Sequence, residues 1–268
     1  MQHPSLLQKT LAVAILACGT FAASFALAGA CPAHYVDGRL PEIRNEKMGA
    51  ATRELCYGVF GVMHSGLTRT PLWSAEHLTA DNIAAAQSLS RENSFHAEPQ
   101  LPVSQRAELS DYARSGYDRG HMSPNGDMPD RETQHESFTL ANMVPQNGDN
   151  NRHVWAGIEG AVRKMAKKEG DLYVITGPAF LGGNLQKIGN VLVPTHLYKL
   201  VYSPRQRAGA AYFIANASTN EYETLTIAEL EKRVGINLLP SLSASEKEAM
   251  LRLPKVKPRK DKREDWSL

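Results

Sequence analysis

A histidine, an arginine and an asparagine within about thirty positions carry the chemistry this chain could do. The run Asp118-Arg119-Gly120-His121 sets an arginine two places before a histidine. On an extended backbone, side chains two apart share a face, so Arg119 and His121 point the same way. A neutral imidazole there can take a proton from water near neutral pH, and activity is expected to fall below about pH 6, where the ring charges. A guanidinium beside it can meet a phosphate oxygen through two donors. Gly120 allows close backbone approach. Downstream, Asn142, Gln146, Asn147, Asp149, Asn150 and Asn151 form an amide-rich run. An amide oxygen is a hard ligand suited to Mg²⁺, which keeps most of its waters and needs few protein ligands. Asn151 is the candidate ligand, and equally a candidate helix cap. Glu159, two turns on, can order the ion's waters. The other histidines, among them His64, His77, His96, His135 and His153, read as structural residues.

These residues need rigid elements to hold them. Asn151 to Glu169 carries Val154, Ile158, Ala161, Val162 and Met165 on one stripe, which predicts a helix capped by Asp149 or Asn150 and stopped at Gly170. Leu55 to Met63 reads as a strand, and Pro71 to Leu78 as a second, pairing antiparallel across Ser65-Gly66. Asp81 to Leu89 suggests a short helix. Residues 90 to 117 have no period, and loops of that length are often functional. After Gly170, Leu172 to Thr176, Val191 to Val193, Leu197 to Tyr202 and Ala210 to Ile214 are apolar, β-branched and aromatic, and read as strands. Thr226 with Glu229 is a capping box opening a helix, and Ser243 with Glu246 suggests another. The expected class is α+β, with a central, largely antiparallel sheet flanked by helices.

Residues 1–30 read as a secretory signal peptide, with Lys9 ahead of an apolar run and small-residue cleavage patterns near Ala30. A membrane anchor is the competing reading, diluted by Ala, Gly and Ser. Residues 31–253 are then one domain, and 254–268 a basic, mobile tail, with a nucleic-acid arm as the sharper alternative. Export implies a periplasmic or secreted protein with no stable membrane association. Cys18 leaves with the leader, so Cys31 and Cys56 remain as an even pair and are expected to form a disulfide. Losing Lys9 takes the formal charge from +2 to +1. Near-neutrality excludes neither a polyanionic substrate nor a neutral one, because only the local field over a site decides. There are no internal repeats, which excludes solenoid architectures.

Asp118-Arg119-Gly120-His121-Met122-Ser123-Pro124, then Asn142-Met143-Val144-Pro145-Gln146, then Asn151, Trp155 and Glu159, closely resembles the DNA/RNA non-specific endonucleases, one of the ββα-metal nuclease families. The likeness runs over roughly residues 50 to 245, through Arg69 to Ala75 and Thr176-Gly177-Pro178. It implies that His121 is the general base and Asn151 the Mg²⁺ ligand, with Mn²⁺ possible. Glu159 becomes the carboxylate beyond the ligand sphere. Arg119 and Arg91 become phosphate contacts, with Arg163 a further candidate. Asn142 is expected to brace the site or touch substrate. The implied substrates are DNA and RNA, cut with little sequence preference to 5′-phosphate products. A phosphodiesterase acting on small nucleotides and a non-catalytic nucleic-acid-binding protein are the competing readings.

Overall fold

The computed structural model describes residues 30–258. The leader expected over residues 1–30 therefore lies almost wholly outside the described residues, as do the last ten positions. No helix among the described residues is long and apolar enough to cross a membrane.

Seven antiparallel strands form the central sheet. In chain order these are β1 (Thr52–Cys56), β2 (Phe60–Ser65), β3 (Thr70–Thr79), β6 (Asp171–Ala179), β7 (His196–Ser203), β8 (Ala208–Ala215) and β9 (Glu223–Leu225), arranged across the sheet as β9-β8-β7-β6-β3-β2-β1. A separate pair, β4 (Tyr117–His121) and β5 (Met143–Asn147), stands beside it. The helices used below are α1 (Ala80–Gln87), α2 (Ala156–Glu169), α3 (Ile227–Val234) and α4 (Ala244–Glu248). The α+β class and the antiparallel sheet stand as expected. The run from Leu55 to Met63 is two strands, not one. Tyr57 and Phe60 close a tight turn through a backbone bond of 3.0 Å, and the Gly58 N–H goes to the Glu136 carboxylate. The expected β2–β3 pairing is present.

Strand alternation gives the sheet two faces. Trp73, Ala75, Ile175, Tyr198 and Leu200 point to one, which α3 covers with Ile227, Leu230 and Val234. Leu78, Leu172, Val174, Leu197 and Val201 point to the other, beneath Ile83 of α1 and Trp155, Ile158, Val162 and Met165. Of the stripe predicted for the long helix, Val154, Ile158, Val162 and Met165 are buried, while Ala161 is only partly so. Within this second face lies a polar row: Ser74 pairs with Thr176, and Thr176 with Lys199. That row faces the candidate site and holds it in place.

Cys31 and Cys56 are disulfide-bonded, with Cα atoms 5.5 Å apart, tying the first described residues to the end of β1. A closed loop of this size stabilises by roughly 3 kcal/mol on the chain-entropy account. Reduction, or Cys56→Ser, should lower unfolding stability by about that amount. Denaturant melts with and without reductant measure it, and superimposable melts would show that the bridge contributes nothing.

Candidate active site

The β4–β5 pair and the helix after it form one ββα unit. Register sets Asp118 opposite Gln146, Gly120 opposite Val144 and His121 opposite Met143. The chain then enters a π-helical turn, Asn150–Trp155, before settling into α2. Such turns widen the backbone locally and are frequent at functional sites. Asn151 lies inside this turn, not at a cap. The expected caps are also corrected. Asp149 makes no capping bond and accepts from Ser218 instead, while Asn147 Oδ1 accepts from the Asn150 N–H at 3.1 Å. Asn150 is fully buried, held by Gln146 Nε2 at 2.8 Å and donating to the Ala215 carbonyl.

Asn151 is oriented by its neighbour across the pair. Its Nδ2 donates to Asp118 at 3.0 Å, and Oδ1 has no donor among the described residues. Asp118 in turn accepts two bonds from Arg152, at 3.0 and 2.6 Å. A carboxylate that captures the N–H₂ end of an amide leaves the oxygen end to act as ligand. Spacing alone gave no role to Asp118 or Arg152.

His121 is buried among aromatic rings, 5.0 Å edge-on to Phe138 and 5.7 Å from Phe95. Among the described residues its Nε2 is buried without a hydrogen-bond partner, an exception that calls for an explanation. Burial first, then the charges of Arg91 and Arg119, hold the ring's pKa down at about 3. The ring is therefore neutral at physiological pH, and the acid limb set by His121 lies well below the pH 6 expected from an ordinary imidazole. Arg119→Ala removes one of the depressing charges, so the His121 pKa should rise while staying under its ordinary value. NMR titration of the imidazole reads this directly. An unmoved pKa would show that Arg119 does not act on the ring.

Arg119 lies over the Phe95 ring at 4.0 Å, and Arg91 reaches over Phe138 at 5.2 Å. Both line an open groove with Tyr117, Asp118, Asn151 and Arg152. The groove thus joins the arginines that act on His121 to the residue proposed to bind metal. The period-free stretch from 90 to 117 supplies one wall of it.

Beneath α2 lies a buried charge cluster that sequence pattern did not find. Glu159 is largely buried, and burial raises its pKa, opposed by Arg163 and Lys199. Arg163 bonds Asp127 at 2.8 Å and lies 3.9 Å from Glu159. Lys199 is buried, donating to Thr176 at 2.6 Å and to the Met122 carbonyl, next in chain to His121. Glu76 is fully buried beside them, and burial followed by Asp127 pushes its pKa well above the usual carboxylate range. A lone Lys199 or Glu76 in an otherwise apolar strand was the available signal.

Asn142 and Arg163, the two further candidates for substrate contact, are both engaged within the protein. Asn142 is fully buried with its amide saturated: Oδ1 accepts from Ser74 and Ser123, and Nδ2 donates to the Ser123 and Ser137 carbonyls. It braces the loop after His121 and has no capacity left for a ligand. Arg163 is engaged by two acids, so its first task is to balance them.

The donor set fits a hard divalent cation. It offers an amide oxygen without a donor among the described residues, a mostly buried carboxylate at Glu159 on the helix that follows, and an open groove at Asn151.

Residues 42–245 match the profile of the DNA/RNA non-specific endonucleases. Nuclease C1 of Cunninghamella echinulata var. echinulata is 37% identical over 198 residues, covering 66% of this chain and 79% of its own length. The mitochondrial nuclease of Saccharomyces cerevisiae is 34% identical over 212 residues, covering 68% of this chain and 64% of its own. The crystal structure of the EndoG/EndoGI complex superposes with a TM-score of 0.67 at 28% identity, over 72% of this chain and 88% of that one. This chain therefore spans less than two thirds of the yeast relative. The expected periplasmic or secreted location is overturned: the relatives from yeast, zebrafish and Schizosaccharomyces pombe are mitochondrial nucleases. That expectation leaned on the leader alone, which lies outside the described residues. The motif, the fold and the matched span agree, and the chain belongs to the DNA/RNA non-specific endonuclease family.

Proposed function

We propose that the protein hydrolyses phosphodiester bonds of DNA and RNA with little sequence preference, using Mg²⁺ and His121 as general base. The observation that carries this is a buried, neutral imidazole under the charges of Arg91 and Arg119, two arginines that line one groove with Asn151. His121 takes the proton from a water that attacks phosphorus in line. The bond to the 3′ oxygen breaks, that oxygen takes a proton from solvent water, and a 3′ hydroxyl and a 5′ phosphate result, with the proton on His121 returning to solvent. Arg119 and Arg91 hold the non-bridging oxygens, where charge accumulates. Asn151 would hold the metal, and Glu159 would order its waters. When bound, the ion supplies Lewis-acid stabilisation of the phosphate and the departing oxygen. Mn²⁺ suits the same donors.

We place the catalytic unit at residues 31–253. Arginines that meet phosphate contact no base edge, so low sequence preference follows, with binding that weakens as salt rises. The test is one gel of plasmid and total RNA with Mg²⁺, with and without EDTA. Degradation of both that EDTA abolishes is the expected result. Intact RNA beside cut plasmid, or cleavage unaffected by EDTA, overturns it.

A further inference from the structure

The segment that begins at Leu251 runs as a strap across α2, and its start is packed, not free in solvent. Tyr212 donates to the Pro254 carbonyl at 2.7 Å, and the Val256 N–H bonds the Tyr222 hydroxyl at 3.0 Å. Gly157 of α2 makes the crossing possible: a Cβ there would lie 2.6 Å from the Lys257 carbonyl oxygen. The strap alternates. Leu251, Leu253 and Val256 face the core, while Arg252, Lys255 and Lys257 are exposed. On α2, Lys164 and Lys168 are exposed four residues apart, on the same side of the helix.

Between helix and strap runs a groove of about 870 Å³ whose walls carry these five cations. Among the described residues none of the five is in an ion pair. The one acid on the wall, Glu169, is occupied by Arg205 at 2.6 Å. Arg163 closes the near end and touches Glu159, so the groove starts where the candidate site stops. A partner docking here breaks no existing ion pair of these cations, and their summed field favours a polyanion.

We propose that this groove is a second stretch of nucleic-acid contact, a lane that carries the phosphate backbone away from the scissile bond. The inference rests on the nuclease reading above. From Glu159 to Lys168 the helix advances roughly 13 Å, at about 1.5 Å per residue. That is about four base-pair steps of duplex at 3.4 Å each. Short substrates end before the lane and long ones fill it.

The test uses the full chain with Mg²⁺ and the variant Arg252→Gln/Lys255→Gln/Lys257→Gln, none of which is in the site. On long duplex DNA near physiological salt, KM should rise about tenfold or more, and the slope of log affinity against log salt should fall by about 0.9 for each cation that holds a phosphate. On a hairpin with a four-base-pair stem, kcat and KM should match wild type, and the melting temperature of the protein should not move. Lys164→Gln/Lys168→Gln should behave the same way without touching the strap. A wild-type salt slope in both variants overturns the lane, and so does an equal loss on the short duplex. Loss of binding to anionic lipid vesicles with DNA binding unchanged would assign the groove to membranes and overturn it as well. Equilibrium DNA binding in EDTA reads the same slope without cleavage. A wild-type protein that cuts no nucleic acid therefore sinks the nuclease reading, while the lane is still judged separately.

Discussion

His121→Asn is expected to lower Mg²⁺-dependent cleavage of plasmid by 10²- to 10⁴-fold or more, with the fold intact. Asparagine keeps a polar group of similar reach among Phe95, Phe138 and the two arginines, but it cannot accept a proton at neutral pH. The loss should fall on kcat more than KM, because the proposed phosphate contacts Arg119 and Arg91 are left in place. A second readout needs no activity. The folded-state pKa of His121 is depressed below that of the unfolded chain, so its contribution to stability is present above about pH 6.5 and lost as pH falls toward 3. Removing the ring removes that loss. The variant should resist acid better than wild type over this window, by an amount on the order of a few kcal/mol. Cleavage within a few-fold of wild type would end the assignment of His121 as base. Unchanged acid stability would show that the ring is not held neutral.

How far the sequence went, and where it stopped, follows from what local pattern encodes. Most of the long helix's amphipathic stripe, the β2–β3 pairing and the capping boxes at Thr226 and Ser243 came out as read, because each depends on residues close together in the chain. The motif arginine and histidine did fall on one strand. The π turn at Asn151 was not legible, since Asn150 is tied there to Gln146 and to the Ala215 carbonyl at the end of β8, both distant in pattern from the helix. Asp149 looked like a cap, but Ser218, brought near by the fold, took its carboxylate. Lys199 and Glu76 are single charges in largely apolar strands, and local pattern assigns them no role. Their meaning appears only when cross-strand register sets Ser74, Thr176 and Lys199 in one row under the site. Asn142 illustrates the same limit: its partners Ser74, Ser123 and Ser137 come from three segments.

The glycine inside the motif should be as intolerant as the histidine beside it. A Cβ built on Gly120 would lie 2.6 Å from Gln146 Cβ and closer still to its Oε1. Real Cβ atoms do not approach that closely, so Gly120→Ala must move Gln146 or separate β4 from β5. Either movement matters, because Gln146 Nε2 holds Asn150, and Asn150 is the residue before the proposed metal ligand. Overpacking of this kind costs about 1–3 kcal/mol of stability. The larger effect should be on activity, where misplacing a reacting group by about 1 Å can cost 10²-fold. Gln146→Ala is the informative partner. It cuts the tie to Asn150 but leaves the backbone free of strain, so it should lose activity with a smaller loss of stability. Combining the two should not restore Gly120→Ala, because an alanine at 146 keeps the Cβ that clashes. Steady-state kinetics and thermal melts on the three variants separate these effects. Wild-type activity in Gly120→Ala would mean that the close approach of β4 to Gln146 does not position Asn151, and the link from the motif glycine to the metal turn would have to be abandoned.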